Sequence, residues 1–407
     1  MKHKIIYIFV CLGWVQYSNG QTLETYLAEA EKNSSEILAE QLQYESALEK
    51  VNEVGSLPNT QLGIGVFAQA VETRVGPQRA RFSASQQIPW FGMLGAKKEQ
   101  AKLLAVAKES EIEFLRRQLR LNVKVAYYNL YSLQQKHRIT QQHIAILDTY
   151  EKLALNELEN NRTDMVDVLH IKMKKNTLQQ QFQEISEDMQ SKKVQFNLLL
   201  NRPIANEVLL LDSLQIQEAS WFTNKETIEN NPKLQQLNAQ EIALQQSELV
   251  AKKEGNPTFG FGLDYVLVAE RSGISLPDNG KDIIMPMVTV SIPIFNNKHI
   301  AKQKQLQLQQ EAIVQTRTTV KNQLLIAYEQ AKNKLKNAAE SIKTQNENIA
   351  QANQAKEVIL AAYQTGTMDF EQLLSLDELA LNFELQKVND INTSLTNSAI
   401  LEFLIAK

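Results

Sequence analysis

Two stretches decide how this chain is read: ASQQIPWFGMLGAKKEQAK, from Ala84 to Lys102, and TVSIPIFNNKHIAKQKQ, from Thr289 to Gln305. Each passes from alternating apolar and polar residues, through Ile-Pro-x-Phe, into a long charged segment with helical composition. The recurrence points to an internal repeat. The order of elements on either side recurs as well, so the 407 residues read as two copies of one unit more than as independent domains.

Upstream of the first echo, TQLGIGVFAQA begins a period-two stretch that sets Leu62, Ile64, Val66, Ala68 and Ala70 on one face. VETRVGPQR (Val71 to Arg79) reads as a turn-rich connection. ARFSASQQI then alternates, with Phe82, Ala84 and Ile88 on one side and Arg81, Ser83, Ser85 and Gln87 on the other. Two such runs predict an antiparallel hairpin. In the second half FGFGLDYVLVA puts Phe259, Phe261, Leu263, Tyr265 and Leu267 opposite Gly260, Gly262 and Asp264. MPMVTVSIPIF puts Val288, Val290 and Ile292 opposite Met287, Thr289 and Ser291. The expected strands cover about 60–70, 80–89, 258–268 and 284–294.

Pro89 and Pro293 cannot donate to a strand ladder and suit a strand's last residue. Beyond Pro89 the chain from Ala96 to about Glu159 contains no proline or glycine. Ala, Leu, Lys, Glu and Gln dominate it, which predicts a helix roughly 95 Å long at 1.5 Å per residue. ENNRTD (Glu159 to Asp164) breaks it, and a second helix runs to about Asn201. The second half repeats this from Lys298 to Gln364, with a break at TGTMD (Thr365 to Asp369) and a last helix to Phe403. The apolar stripes are narrow and Gln and Asn abundant, which suits a coiled-coil seam. The repeats span 21–203 and 228–407, each opening on a lead-in helix, with a mixed linker at 204–227.

At the N-terminus Lys2, His3 and Lys4 precede an apolar run from Ile5 to Val15 and then Ser18-Asn19-Gly20, the form of a secretory signal over residues 1–20. Cys11 is the single cysteine and lies inside that segment. Ile8-Phe9-Val10 before it lacks the small residue that lipidation requires. A thiol-free mature chain uses no disulfide and no thiolate metal site. Charged residues make up 22% of the chain, mean hydropathy is −0.32 and the formal net charge is −3. No apolar run therefore reaches the length of a membrane helix, and nothing points to nucleic acid. His3, His137, His143, His170 and His299 make no paired ligand set, and no phosphate-binding loop or nucleophile elbow is present. No cofactor, metal site or enzymatic activity is expected.

Each half supplies two strands, and an isolated hairpin is marginal in water. The strands have the length that spans a bilayer when tilted. Each has an apolar face for lipid and a small or polar face for water, with Arg81, Ser83, Ser85, Gln87, Asp264, Thr289 and Ser291 on the lumen side. Four strands cannot close a cylinder, and unpaired backbone groups cost several kcal/mol each in lipid. Three copies would give twelve strands. The alternatives are a soluble sheet with one buried face joined to a coiled coil, a periplasmic coiled-coil adaptor, or a structural protein without a pore.

The doubled order of helix, strand, strand, long helix and helix, both Ile-Pro-x-Phe exits and both hairpin breaks resemble the outer-membrane efflux protein family, the TolC-like exit ducts of tripartite pumps. QQIPWFGMLGAKK resembles its heavy-metal cation efflux branch more than its multidrug branch. The resemblance covers nearly all of the mature chain. It implies a mixed α/β membrane protein, mainly α: a homotrimeric twelve-stranded barrel in outer-membrane lipid, continuous with an α-helical periplasmic tunnel. It implies a periplasmic adaptor and an inner-membrane transporter of the RND type as partners. The shorter helices would pair end to end, Glu36–Val54 with Asp164–Asn201 and Lys233–Lys253 with Asp369–Phe403. Pro89, Trp90, Phe91, Pro293 and Phe295 would mark where membrane strands become tunnel helices. The two breaks would form the adaptor-binding tip and constriction: Asn160, Asn161, Arg162, Thr163, Asp164 and Asp167 in the first, Thr365, Gly366, Thr367, Met368, Asp369, Glu371 and Gln372 in the second. Gly366 matches the family's tip glycine, where the first break has Asn161. Gln372 stands where some members place an aspartate.

Overall fold

A computed structural model describes residues 23–160, 164–214, 225–273, 275–364, 367–368 and 370–405. The signal segment expected at 1–20 and residues 215–224 of the linker lie outside these. The elements are α1 (Leu23–Asn33), α2 (Ser35–Val54), β1 (Gln61–Thr73), β2 (Gly76–Ile88), α3 (Met93–Glu159) and α4 (Met165–Leu199). A 3₁₀ turn (Lys225–Asn230) follows, then α5 (Pro232–Glu254), β3 (Thr258–Val268), β4 (Ile283–Ser291), α6 (Asn297–Gln364) and α7 (Phe370–Leu404). Helices α3 and α6 run unbroken for 67 and 68 residues. Among the described residues no helix is long and apolar enough to cross a membrane.

The four strands form one antiparallel sheet in the order β1-β2-β3-β4, so the two halves of the sequence meet where β2 pairs β3. The register puts Leu62, Ala84, Leu263 and Pro286 in one row and Ile64, Phe82, Tyr265 and Ile284 in another, all on one face. This apolar face is open: Leu62 is 80% exposed, Ile64 76%, Val66 78% and Val288 69%. Among the described residues nothing covers these apolar rows, which does not favour a sheet with one face buried by its own chain. Gln86 is the polar exception. Its amide donates to Pro58 O (2.8 Å) and accepts from the Thr60 hydroxyl (2.6 Å).

The strands depart from the sequence reading in two places. Val71–Arg79 is not a long connection. The hairpin closes between Thr73 and Gly76, leaving a two-residue turn. Gly76 has φ +128, a conformation open to glycine, and the Thr73 hydroxyl donates to its carbonyl at 2.7 Å. The ladder also slips between Val66 and Val71, so the single face expected to continue through Ala68 and Ala70 ends at Val66. At the other end β4 stops at Ser291, before the expected 294, because Pro293 has no N–H to continue the ladder.

The chain divides into two compact units, each drawn from both halves. One comprises residues 1–34, 119–221 and 332–400, the other 35–118, 222–331 and 401–407. In the first, Tyr26, Leu27, Val123, Tyr127, Leu130, Phe196 and Leu200 form a core between α1, α3 and α4. The early linker is pinned across it, since Leu209 N donates to Tyr26 Oη (2.9 Å) and Leu211 N to Tyr127 Oη (3.1 Å). Arg202 is held within by Asn197 Oδ1 (2.8 Å) and Glu29 (3.0 Å), over the Tyr26 ring at 5.0 Å. The spacing of Val123, Tyr127 and Leu130 is that of a narrow helical seam.

Helix ends leave backbone carbonyls without intrahelical partners, and asparagines meet this need in both units. Asn33 Nδ2 donates to Leu200 O (3.3 Å), while Asn201 Nδ2 donates back to Asn33 O (2.9 Å). In the other unit Asn231 is fully buried. Its Oδ1 caps α5 by accepting from Lys233 N (3.0 Å), and its Nδ2 donates to Leu404 O (3.2 Å) at the end of α7. One side chain thus serves two helix ends. Asn231→Ala is expected to destabilise the protein by about 1–3 kcal/mol, read as a lowered thermal midpoint by circular dichroism. An unchanged midpoint would remove this role.

Candidate functional site

At the first break the described residues on either side cap the helix ends. Asn160 Nδ2 donates to Asn156 O (2.8 Å) as α3 ends. Asp164 stands before α4 in extended conformation, its Oδ1 accepting from Val166 N (2.8 Å) and Asp167 N (3.3 Å). A carboxylate there satisfies orphan donors and suits the helix dipole. Asp167 is half-buried in the same turn. At the second break Thr367 N and its hydroxyl both donate to Ala362 O (3.0 and 2.9 Å). Met368, Glu371 and Gln372 are exposed around the start of α7. Asn161, Arg162, Thr163, Thr365, Gly366 and Asp369 lie outside the described residues.

A core that the sequence did not announce brings the two breaks together. Leu147, Tyr150, Ala154, Val168, Ile171, Phe370, Leu373 and Leu374 pack as one cluster from α3, α4 and α7, with Ile359, Leu360 and Tyr363 of α6 against it. Phe370 is 1% exposed and meets Tyr150 and Tyr363 edge-on at 5.7 and 5.0 Å. The available signal was an aromatic on either side of the second break, in helices otherwise rich in Gln, Asn and Lys. By contrast, α4 leaves Met165, Leu169 and Met173 uncovered at four-residue spacing, one stripe on its surface. Between α4 and α7 lies a groove of about 530 Å³ lined by Met173, Thr177, Leu381 and Leu385 and bridged by a Lys174–Glu378 ion pair.

One turn deeper, three helices are joined by charge. His143 of α3 is 3% exposed, with Nδ1 3.1 Å from Asp377 and Nε2 3.5 Å from Glu384, both on α7. Lys356 of α6 holds the other Asp377 oxygen. Burial pulls the His143 pKa down, but hydrogen bonds and charge from Asp377 and Glu384 outweigh it and hold the pKa at about 9. His143 is therefore an imidazolium at neutral pH. Burial opposes the Asp377 charge in the same way, yet His143 and Lys356 keep its pKa below the ordinary carboxylate value. Burial and the Asp377 charge push Tyr150 up to about 12. His143 gave no sequence signal because its partner is 234 residues away.

A raised histidine pKa stabilises the fold fully below its unfolded value of 6.5, and that contribution is lost as pH rises through about 9. Thermal stability is expected to fall between pH 7 and 10 by up to about 3 kcal/mol from this group. His143→Gln should remove that portion of the alkaline decline. An identical decline in the variant would show that the decline arises elsewhere.

On the sheet, Arg81, Ser83, Ser85, Gln87, Asp264, Thr289 and Ser291 all lie on the face opposite the apolar rows. Trp90 stacks on Phe259 at 5.8 Å just beyond the end of β2. Pro89 and Pro293 are half-buried, while Phe91 and Phe295 project at 79% and 90% exposure, uncovered aromatics where both strands give way to helices.

No protein-family model matches the chain, and no curated protein does. Solved structures do. The outer membrane protein VceC from Vibrio cholerae is 15% identical with a TM-score of 0.76, over 94% of this chain and 95% of that one. CusC is 14% identical with a TM-score of 0.78, over 95% and 92%. The Campylobacter jejuni CmeC outer membrane channel is 13% identical with a TM-score of 0.73, over 94% and 85%. Identity this low speaks for architecture, and the agreement spans nearly every residue: the chain has the fold of these outer-membrane channel proteins.

Proposed function

We propose that the chain belongs to the TolC-like outer-membrane efflux family and works as a passive exit duct, not an enzyme. Three copies close a twelve-stranded barrel in outer-membrane lipid, and their helices form the periplasmic tunnel. One observation carries this reading: a sheet whose apolar face is open and whose outer strands, β1 and β4, each have a strand neighbour on one side only. Backbone groups on those edges need partners in lipid, and the β4 edge of one copy can meet the β1 edge of the next. The face carrying Arg81, Ser83, Ser85, Gln87, Asp264, Thr289 and Ser291 then lines water. Trp90, Phe91 and Phe295 sit at the membrane boundary, where aromatic girdles occur. Residues 1–20 direct export.

The helix breaks are assigned to the adaptor-binding tip, with Asp167, Glu371 and Gln372 near the constriction. The uncovered Met165–Leu169–Met173 stripe supports a helical partner there, since such a stripe on a surface helix marks an interaction site. An RND-type inner-membrane transporter supplies energy and selectivity. Heavy-metal cations are the cargo class we assign, on the wording of the first Ile-Pro-x-Phe segment.

Detergent-extracted protein is expected to be a trimer by native mass spectrometry and to fractionate with outer membranes. A soluble monomer would overturn the duct. A Leu169→Glu, Met173→Glu variant should assemble normally yet recover several-fold less adaptor by in-cell crosslinking. Undiminished recovery would remove the tip assignment and leave the barrel standing.

A further inference from the structure

The polar face of the sheet carries almost no charge. Across the paired rows from Gln61–Gly65 on β1 to Ile283–Ser291 on β4, Arg81 and Asp264 are the only charged residues on that face. They are diagonal neighbours on β2 and β3, since Ser83 is opposite Asp264 and Val266 opposite Arg81. The Arg81 guanidinium donates to Asp264 Oδ2. The two are unequally placed: the Asp264 side chain is 0% exposed and that of Arg81 46%. Asp264 Oδ1 has no hydrogen-bond partner among the described residues. Buried carboxylates are found paired with cations or metals, and Arg81 is the cation in contact.

From this arrangement we infer that the Arg81–Asp264 pair keeps the pore free of charge selectivity at the level of the barrel, Asp264 cancelling a cation that would otherwise favour anions. The inference rests on the barrel reading above, in which three pairs form one ring. Asp264 lies beneath Arg81, ties it to the wall and cancels its charge. The lumen at that level meets hydrogen-bond donors but no net charge, so cations and anions pass it alike, and discrimination belongs to other levels of the duct. Without the carboxylate, the ring becomes three uncompensated guanidinium groups that attract anions.

The test is planar-bilayer recording of the purified assembly in a KCl gradient near 0.01 M, where the Debye length is about 30 Å and the charge of the ring is little screened. Permeability ratios are compared with wild type, so charges elsewhere cancel. Asp264→Asn should lower the potassium-to-chloride ratio about twofold or more. The double variant Arg81→Gln, Asp264→Asn should restore it, because both partners are then neutral. Should Asp264→Asn not assemble, Arg81→Gln replaces it, with the ratio expected to rise. A conducting single variant with the wild-type ratio overturns the role of the pair and leaves the barrel intact. A wild-type protein that forms no pore overturns both.

Discussion

A strand at the edge of a sheet exposes backbone N–H and C=O groups that must be paired, hydrated or covered. Here β1 and β4 both stand at edges, and the face they share displays Leu62, Ile64, Val66, Val288 and Val290. Water tolerates the edges but not the apolar rows, and lipid tolerates the rows but not the edges. In the proposed trimer the two demands are met together, as neighbouring copies complete the ladder and lipid covers the rows. In the proposed duct the small residues of the opposite face follow from the same constraint, since a wall that encloses water has no need of a packed apolar core. Gly63, Gly260 and Gly262 let the Ser83, Thr289 and Met287 side chains lie close against the ladder.

The helices solve a different problem. A helix of 67 or 68 residues has far more surface than a small apolar core can cover, so burial is confined to narrow seams. The remaining cohesion is polar and local. Asparagines supply it at the helix joins, where Asn33 and Asn231 reach carbonyls that no helix can satisfy internally. Ion pairs supply it near the breaks, where His143, Asp377 and Lys356 tie three helices through a single carboxylate. Truncating one partner of so buried a group strands the others without compensation. The aromatic core of Tyr150, Tyr363 and Phe370 lies at the same end. The ends of the long helices are thus fixed twice, by packing and by charge.

Both Ile-Pro-x-Phe segments, the existence and approximate place of the four strands and both helix breaks were legible in the sequence. Each depends on short-range chain physics: side-chain alternation, a proline without an N–H, a carboxylate that caps a helix. The alternation also assigned Arg81, Ser83, Ser85 and Gln87 to one face, and the register places them there. The tight hairpin at Thr73–Gly76 was misread because turn-forming residues were counted as loop, although a single glycine at positive φ sufficed to reverse the chain. What only the tertiary structure decided is which distant residues meet. The pairing of β2 with β3, the contact of Arg81 with Asp264 across 183 residues and that of His143 with Asp377 across 234 leave no periodic trace. Periodicity reports how a residue sits on its own helix or strand, whereas these contacts depend on how separate elements dock.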